Sequence, residues 1–391
     1  MKNKLYYLTR AYYPYQKSGG TLMRLGAVKY LRKLGWNIIV VMPNYNSKKI
    51  IIENDIIQIP FLQRHVQKLD SLFERVGIYE DYLDKWIENA WEYLKDKIQK
   101  EDIIFSTSGG ELGMIKLGSL LKKEIGCKFI INFRDPIDYS FVNGLKLDKK
   151  FHVSRENQEE QYLKNSDLII TSSISNKISL EKKYPQFQNK IVNNYFGYIS
   201  EVDLKFSIQK VNKKLTIAYV GNMCITQKPE ILYELYKNLE DNNMEIYFIG
   251  NYKNYKPLQN IKDNNIKFID FIPHDKFLKF MIENIDIGFV SLANDYLGAC
   301  VPSKIYEYIN LGLPMIGALP DGDGRDIINN NGYGIACKYN DIEGLSNAIR
   351  NFLDRDYLGN IKSNIIKDKE NWAMQNRIKE VDSYLRSISA N

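Results

Sequence analysis

The chain has 391 residues and is poor in the residues that staple or metallate small domains. Its four cysteines, Cys127, Cys224, Cys300 and Cys337, are scattered without a CxxC pair, which excludes a disulfide framework or zinc ribbon and points to reduced thiols. The three histidines, His65, His152 and His274, are too dispersed to suggest a metal cluster. No apolar run reaches the roughly 18 residues that a membrane-spanning helix needs. The opening MKNKLYYLTR reads as a strand and not as a secretory signal. A cytoplasmic protein is therefore expected. Repeats and low-complexity segments are lacking, and so are the GxGxxG and GxxxxGK[ST] patterns, which removes support for a dinucleotide site or a P-loop.

Acidic residues are missing from the first fifty positions, where ten basic residues stand. Residues 1–200 hold 31 Lys/Arg against 22 Asp/Glu, whereas residues 201–391 hold 23 against 25. The basic half fits an anionic partner such as a phosphorylated lipid, a membrane surface or nucleic acid, although a basic solvated surface would look the same. No nucleic-acid module is recognisable.

What is present is an alternation of strands and helices. Leu5–Leu8, Asn37–Met42, Ile103–Ser106, Lys128–Asn132 and Asp167–Thr171 read as strands. Helical periodicity falls between them at Thr21–Leu34, Met114–Glu124 and Ser175–Lys183. Residues 64–100 interrupt this rhythm with an amphipathic, aromatic-rich stretch, expected to face an acceptor molecule. A polar connection, 199–213, precedes a second βα series that starts at Leu215–Val220. Two doubly wound α/β domains are expected, facing across a cleft, with ligands beyond the C-terminal ends of the strands.

The densest signal is VPSKIYEYINLGLPMIGAL, Val301 to Leu319. Ser303 is expected as the N-cap of a helix that runs to Asn310 and stops at Gly312, followed by a buried strand after Pro314. A helix N-terminus suits a diphosphate. Lys304 at that end is electrostatically misplaced unless an anion is near, and Glu307 lies one turn later on the same face, where a carboxylate can accept from ribose hydroxyls. Ordinary αβ units show the same caps and Gly-Pro turns. Two further glycine loops precede helices. KSGG ends at Gly19 and Gly20, where backbone can approach a ligand closely. VGNMCITQKPE carries Gly221, Asn222 and Lys228, a lysine either poised at a phosphate or simply facing solvent. Asp135 in INFRDP ends a predicted strand and either orients an acceptor hydroxyl as a base or caps the turn before Pro136.

In this order, the GG loop, LGW, RDP, VGN with its downstream lysine, PSKIYEYINLGLPMIGA and NNGYG resemble a GT-B glycosyltransferase, in particular family 4 and its bacterial surface-polysaccharide branch. The resemblance implies an N-terminal acceptor domain over 1–198, a linker over 199–213, a nucleotide-sugar domain over 214–370, and a helix over 371–391 crossing back. It implies retaining transfer from a nucleotide-diphosphate sugar to a glycan or lipid-linked acceptor, without cofactor or metal. Contact with an anionic membrane at the inner face of the plasma membrane follows from the basic half. By the same resemblance Gly19, Gly20, Gly221, Asn222, Lys228, Ser303, Lys304 and Glu307 bind the donor, while Lys228, Glu307 and Asp135 are the catalytic candidates. Two positions depart from the family. Asn222 stands where many members have arginine, and Ala299 where many carry a first glutamate. A nucleotide-sugar 2-epimerase of the same fold and a non-catalytic binding subunit are the alternatives.

Overall fold

The computed structural model describes residues 3–16, 19–61, 81–137, 158–200, 214–239 and 243–390. Lys17 and Ser18 of the first glycine loop, positions 64–80 of the aromatic stretch, His65, His152 and linker positions 201–213 lie outside them. The chain divides into two compact units, one formed by Met1–Phe196 with Arg377–Asn391, the other by Gly197–Asn376.

Unit 1 begins with β1 (Lys4–Leu8), α1 (Gly19–Lys33) and β2 (Asn37–Asn44). A hairpin of β3 (Ile51–Glu53) and β4 (Ile56–Pro60) follows, turned by Asn54 and Asp55 at φ 47° and 62°. Next come α2 (Asp84–Leu94), β5 (Ile103–Gly109), α3 (Gly113–Ile125), β6 (Lys128–Asp135), β7 (Leu168–Thr171), α4 (Ile174–Lys183) and β8 (Ile191–Asn193). The sheet order is β3-β4-β2-β1-β5-β6-β7-β8, parallel except for the hairpin pair. Successive strand residues point to opposite faces, and both faces are buried. Leu5 and Tyr7 pack with Val28, Leu31, Ile378, Val381 and Leu385, whereas Tyr6 and Leu8 pack with Trp86, Leu94, Met114 and Leu117.

The inward face of α1 consists of Met23, Arg24, Ala27, Val28 and Leu31, while Leu22 and Leu25 are half-buried. The described part of the aromatic stretch supplies core. Trp86 is fully buried with its indole N–H on the Ile59 carbonyl (3.1 Å), and Tyr82, Trp91 and Tyr93 pack against the same cluster. Periodicity alone cannot say which side of an amphipathic helix meets protein and which meets ligand.

Unit 2 contains β9 (Leu215–Gly221), α5 (Glu230–Leu239), β10 (Met244–Gly250), β11 (Ile266–Ile269), α6 (His274–Asn284) and β12 (Ile287–Ser291). It continues with α7 (Ser303–Asn310), β13 (Met315–Ala318), α8 (Asp323–Asn330), β14 (Gly334–Cys337), α9 (Ile342–Phe352) and α10 (Arg355–Asp368). Its six strands pair in parallel in the order β11-β10-β9-β12-β13-β14. Strand order reverses between β9 and β12, as it does between β1 and β5 in unit 1. Those are the positions where a doubly wound sheet opens a crevice at its carboxyl edge.

The last helix, α11 (Met374–Ala390), belongs with unit 1 from Arg377 onward. The Trp36 indole donates to Asp382 (2.7 Å), and Leu385 is fully buried. No helix among the described residues is long and apolar enough to cross a membrane. Leu385→Ala is expected to destabilise unit 1 by about 2–5 kcal/mol, the usual cost of a cavity at a sealed leucine. Urea unfolding followed by tryptophan fluorescence reads it, and an unchanged midpoint would mean that α11 adds nothing to this core.

Candidate functional site

The site in unit 2 is built where β9 and β12 diverge. Tyr219 projects near the end of β9, and its hydroxyl donates to the Asn222 carbonyl (2.6 Å) and bonds the Gln227 side chain. The Gln227 backbone carbonyl accepts from Ser291 Oγ (2.5 Å) at the end of β12, which pins the 222–229 loop across the switch point. Lys304, in the first turn of α7, reaches into this cluster. Its Nζ donates to Tyr219 Oη and Gln227 Oε1, both at 2.8 Å, and stands 4.2 Å from the Tyr219 ring centroid.

Glycine at 221 serves the backbone and not the lysine, whose stem would meet a Cβ only at ordinary contact distance. A Cβ there would stand 3.5 Å from Lys304 Cε, and the residue holds φ 100°, a backbone region that side chains disfavour. The neighbouring Gly250 is still more constrained, because a Cβ would come 2.1 Å from the Gly221 carbonyl oxygen. Asn222 is exposed and accepts from the Asn251 amide (2.8 Å), while Asn251 Oδ1 takes the Met223 N–H (2.6 Å).

The N-cap expectation for Ser303 is corrected. Pro302 occupies the cap at φ −59°, ψ 128°, with no side-chain hydrogen bond, and Ser303 is the first helical residue. Proline has no side-chain acceptor with which to cap, so the leading amides of α7 lack the usual side-chain oxygen. The first turn of α7 contains no acidic residue.

Electrostatics sharpen the picture. Among the described residues no carboxylate stands in the hydrogen-bond shell of Lys304, and burial pushes its ammonium down to about 7, partly offset by the Cys224 and Cys300 thiols. Burial alone pushes the Glu307 carboxyl up to about 7. Its Oε2 is sealed from solvent and lacks a hydrogen-bond partner. Both residues keep some accessible surface while being densely surrounded, as groups on the floor of a pocket are. Leaving a buried carboxylate oxygen unpaired costs free energy that a donor such as a hydroxyl would recover.

Lys228 does not join this cluster. Its side chain is exposed, and its backbone is left-handed at φ 45°, immediately before Pro229, with its N–H on the Cys224 carbonyl (2.9 Å). A lysine in that conformation carries strain of the kind found at functional turns. The polar partners that Lys304 does have, Tyr219 and Gln227, were not among the sequence candidates. The remaining candidates lie in unit 1. Gly19 and Gly20 open α1, and Asp135 ends β6 with its Oδ2 3.4 Å from where a Gly109 Cβ would be.

Residues 201–372 match the family model of glycosyl transferases group 1. No curated protein matches the chain significantly. Among solved structures the chain is similar to Anabaena Alr3699/HepE in complex with UDP and glucose, at 12% identity and a TM-score of 0.68, covering 98% of this chain and 100% of that one. It is also similar to a glycosyltransferase from Rickettsia africae ESF-5, at 16% identity and TM-score 0.67, covering 100% and 99%. A third is the apo lipopolysaccharide outer core galactosyltransferase WaaB, at 13% identity and TM-score 0.66, covering 98% and 99%. The architecture is that of GT-B glycosyltransferases, two parallel-sheet, Rossmann-like units. The group 1 match spans the region that carries Lys304 and Glu307.

Burying unpaired charges has a measurable cost. The folded carboxyl of Glu307 binds its proton more tightly than the unfolded one, so its contribution to stability falls as pH rises from about 4.5 through about 7. Lys304, with its folded value lowered from 10.5 to about 7, loses stability as pH falls across that window. Glu307→Gln is therefore expected to raise the melting temperature of the protein at pH 8 by about 2–4 °C per kcal/mol recovered. A lowered melting temperature at pH 8 would contradict the desolvated carboxylate.

Proposed function

We propose that the protein is a retaining glycosyltransferase that moves a sugar from a nucleotide-diphosphate donor to a glycan or lipid-linked acceptor in bacterial surface-polysaccharide synthesis. The observation that carries the reading is the Lys304–Tyr219–Gln227 cluster at the uncapped start of α7, one turn from the unpartnered Glu307 carboxylate. A diphosphate would meet the helix amides and draw Lys304 back to its charged form, and ribose hydroxyls would satisfy Glu307. Ser303, Gly221 and Asn222 line the same approach. The group 1 match over 201–372 supports this assignment of the nucleotide half.

Leaving-group departure places negative charge on the diphosphate. Lys304, the α7 amides and Lys228, swinging in from its exposed loop, would stabilise it without metal, the electrostatic strategy that usually dominates such catalysis. Asp135 would orient the acceptor hydroxyl, and Gly19 and Gly20 would approach the bound donor. In the absence of a nucleophilic carboxylate at Ala299, the acceptor attacks on the face that the diphosphate leaves, and a diphosphate oxygen takes the acceptor proton. The reaction belongs on the cytoplasmic face of the plasma membrane, where the basic half would meet anionic lipid.

Two measurements test the proposal. UDP, GDP and ADP with their sugars are screened against the full chain by thermal shift, since a ligand that binds the native state raises its melting temperature. Lys304→Ala is expected to abolish the nucleotide-induced shift and, with a matched donor, to lower turnover by about 10²–10³-fold. Product NMR should give the anomeric configuration of the donor; an inverted product overturns the retaining assignment. Conversion of a nucleotide sugar without any acceptor would instead identify an epimerase.

A further inference from the structure

A second polar cluster lies at the other switch point, in unit 1, and the donor site does not account for it. Arg24, on the inward face of α1, is 2% exposed. Its Nη1 donates to the Ala11 carbonyl (3.1 Å), but its Nε and Nη2 have no hydrogen-bond partner. The carboxylate beside it, Glu111, is 4% exposed and stays 3.9 Å away at Oε1, which is itself unpartnered. Glu111 Oε2 is already committed to Arg10 Nε (3.2 Å) and the Gly109 N–H (2.9 Å). One buried carboxylate thus serves two guanidiniums and saturates neither.

Arg134 adds a third. It is the penultimate residue of β6, and its guanidinium lies against the first turn of α1. A Cβ on Gly20 would stand 2.7 Å from Arg134 Nη1 and 3.0 Å from Nη2. Arg134 Nε is sealed without a partner, and the group stands 5.8 Å from the Phe196 ring centroid. No carboxylate pairs with it among the described residues. A cation laid on the positive end of a helix that has no acid in its first turn is doubly unfavourable. The proximity of Arg134 also contributes, after burial, to lowering Arg24 to about 10. Leaving charged donors unpaired in a buried site is expensive, and an oxyanion at Arg134 would offset the excess of positive charge.

We propose that Arg134, backed by the buried charge of Arg24 and seated over Gly20, forms an oxyanion site in unit 1 that takes a phosphoryl or carboxylate group of an anionic acceptor. The acceptor's part in this rests on the glycosyl-transfer reading; the oxyanion site itself does not. Arg134, which keeps accessible surface, makes the contact as a planar fork suited to two oxygens. Asp135, the next residue, then falls beside the anchored group, where it could orient a neighbouring hydroxyl.

The probe is inorganic phosphate, followed by ³¹P line broadening with the full chain at constant ionic strength and saturating UDP, whose own resonances are distinct. Phosphate should broaden in the wild type and in Lys304→Ala. In Arg134→Gln binding should weaken about tenfold or more, the scale of a lost charge-assisted contact. Gly20→Ala, which pushes on the guanidinium without removing it, provides a second variant, and circular dichroism checks that each is folded. Displacement of phosphate by acetate would assign the site to carboxylates, and failure to displace it would assign it to phosphoryl groups. Competition by UDP, or equal broadening in wild type and Arg134→Gln, overturns the proposal. Phosphate binding without any nucleotide binding would sink the donor reading and leave this one standing.

Discussion

A positive charge held away from water without a carboxylate to balance it organises unit 2. Lys304 could have been paired with an acid, and such a pair would have been satisfied and inert. Its neighbours are instead a phenol and an amide, Tyr219 and Gln227, which orient the amine but leave its charge uncompensated. Everything around it follows from that choice. Gly221 takes the left-handed turn that ends β9 beside the lysine, Pro302 leaves the adjacent helix end bare, and Ser291 pins the loop that brings Gln227 across the strand reversal. Glu307 shows the same logic with the opposite sign, a carboxylate whose missing donor is the counterpart of the missing anion.

Unit 1 repeats the principle with guanidiniums. Its strand reversal also gathers more cationic groups than anionic ones at a helix start, and there a glycine is what lets a cation lie on backbone. The two sheets differ in the tool used. A lysine can become neutral when its ligand leaves, and burial takes Lys304 close to that point. An arginine stays charged, so unit 1 has to tolerate its imbalance permanently, with Glu111 divided between Arg10 and Arg24 as a partial remedy.

The sequence was legible where the physics is local. Strand and helix positions in both units could be read because hydrophobic period and capping depend on neighbours in the chain. Lys304 and Glu307 stood out because a cation at a helix start and an acid one turn later are local oddities. Tyr219 and Gln227 did not, since their role arises from contacts spanning 85 and 77 positions. Arg24 was hidden for a related reason. A charged residue on a periodic helix reads as solvent-facing, and only the packed fold turns it inward. The burial of Trp86 was equally hard to read, because an aromatic stripe looks alike whether it meets a core or a ligand.

The return of the chain to unit 1 at Arg377 has a consequence for biosynthesis. The face of the first sheet that carries Leu5 and Tyr7 is closed by Ile378, Val381 and Leu385. A nascent chain therefore exposes that apolar face from the time its opening strands emerge until some 180 later residues of unit 2 have been translated. Unit 2 can complete its core while the ribosome is still working; unit 1 cannot. The earlier-made half thus waits for the last helix before this face, already partly covered by α1, is closed in full.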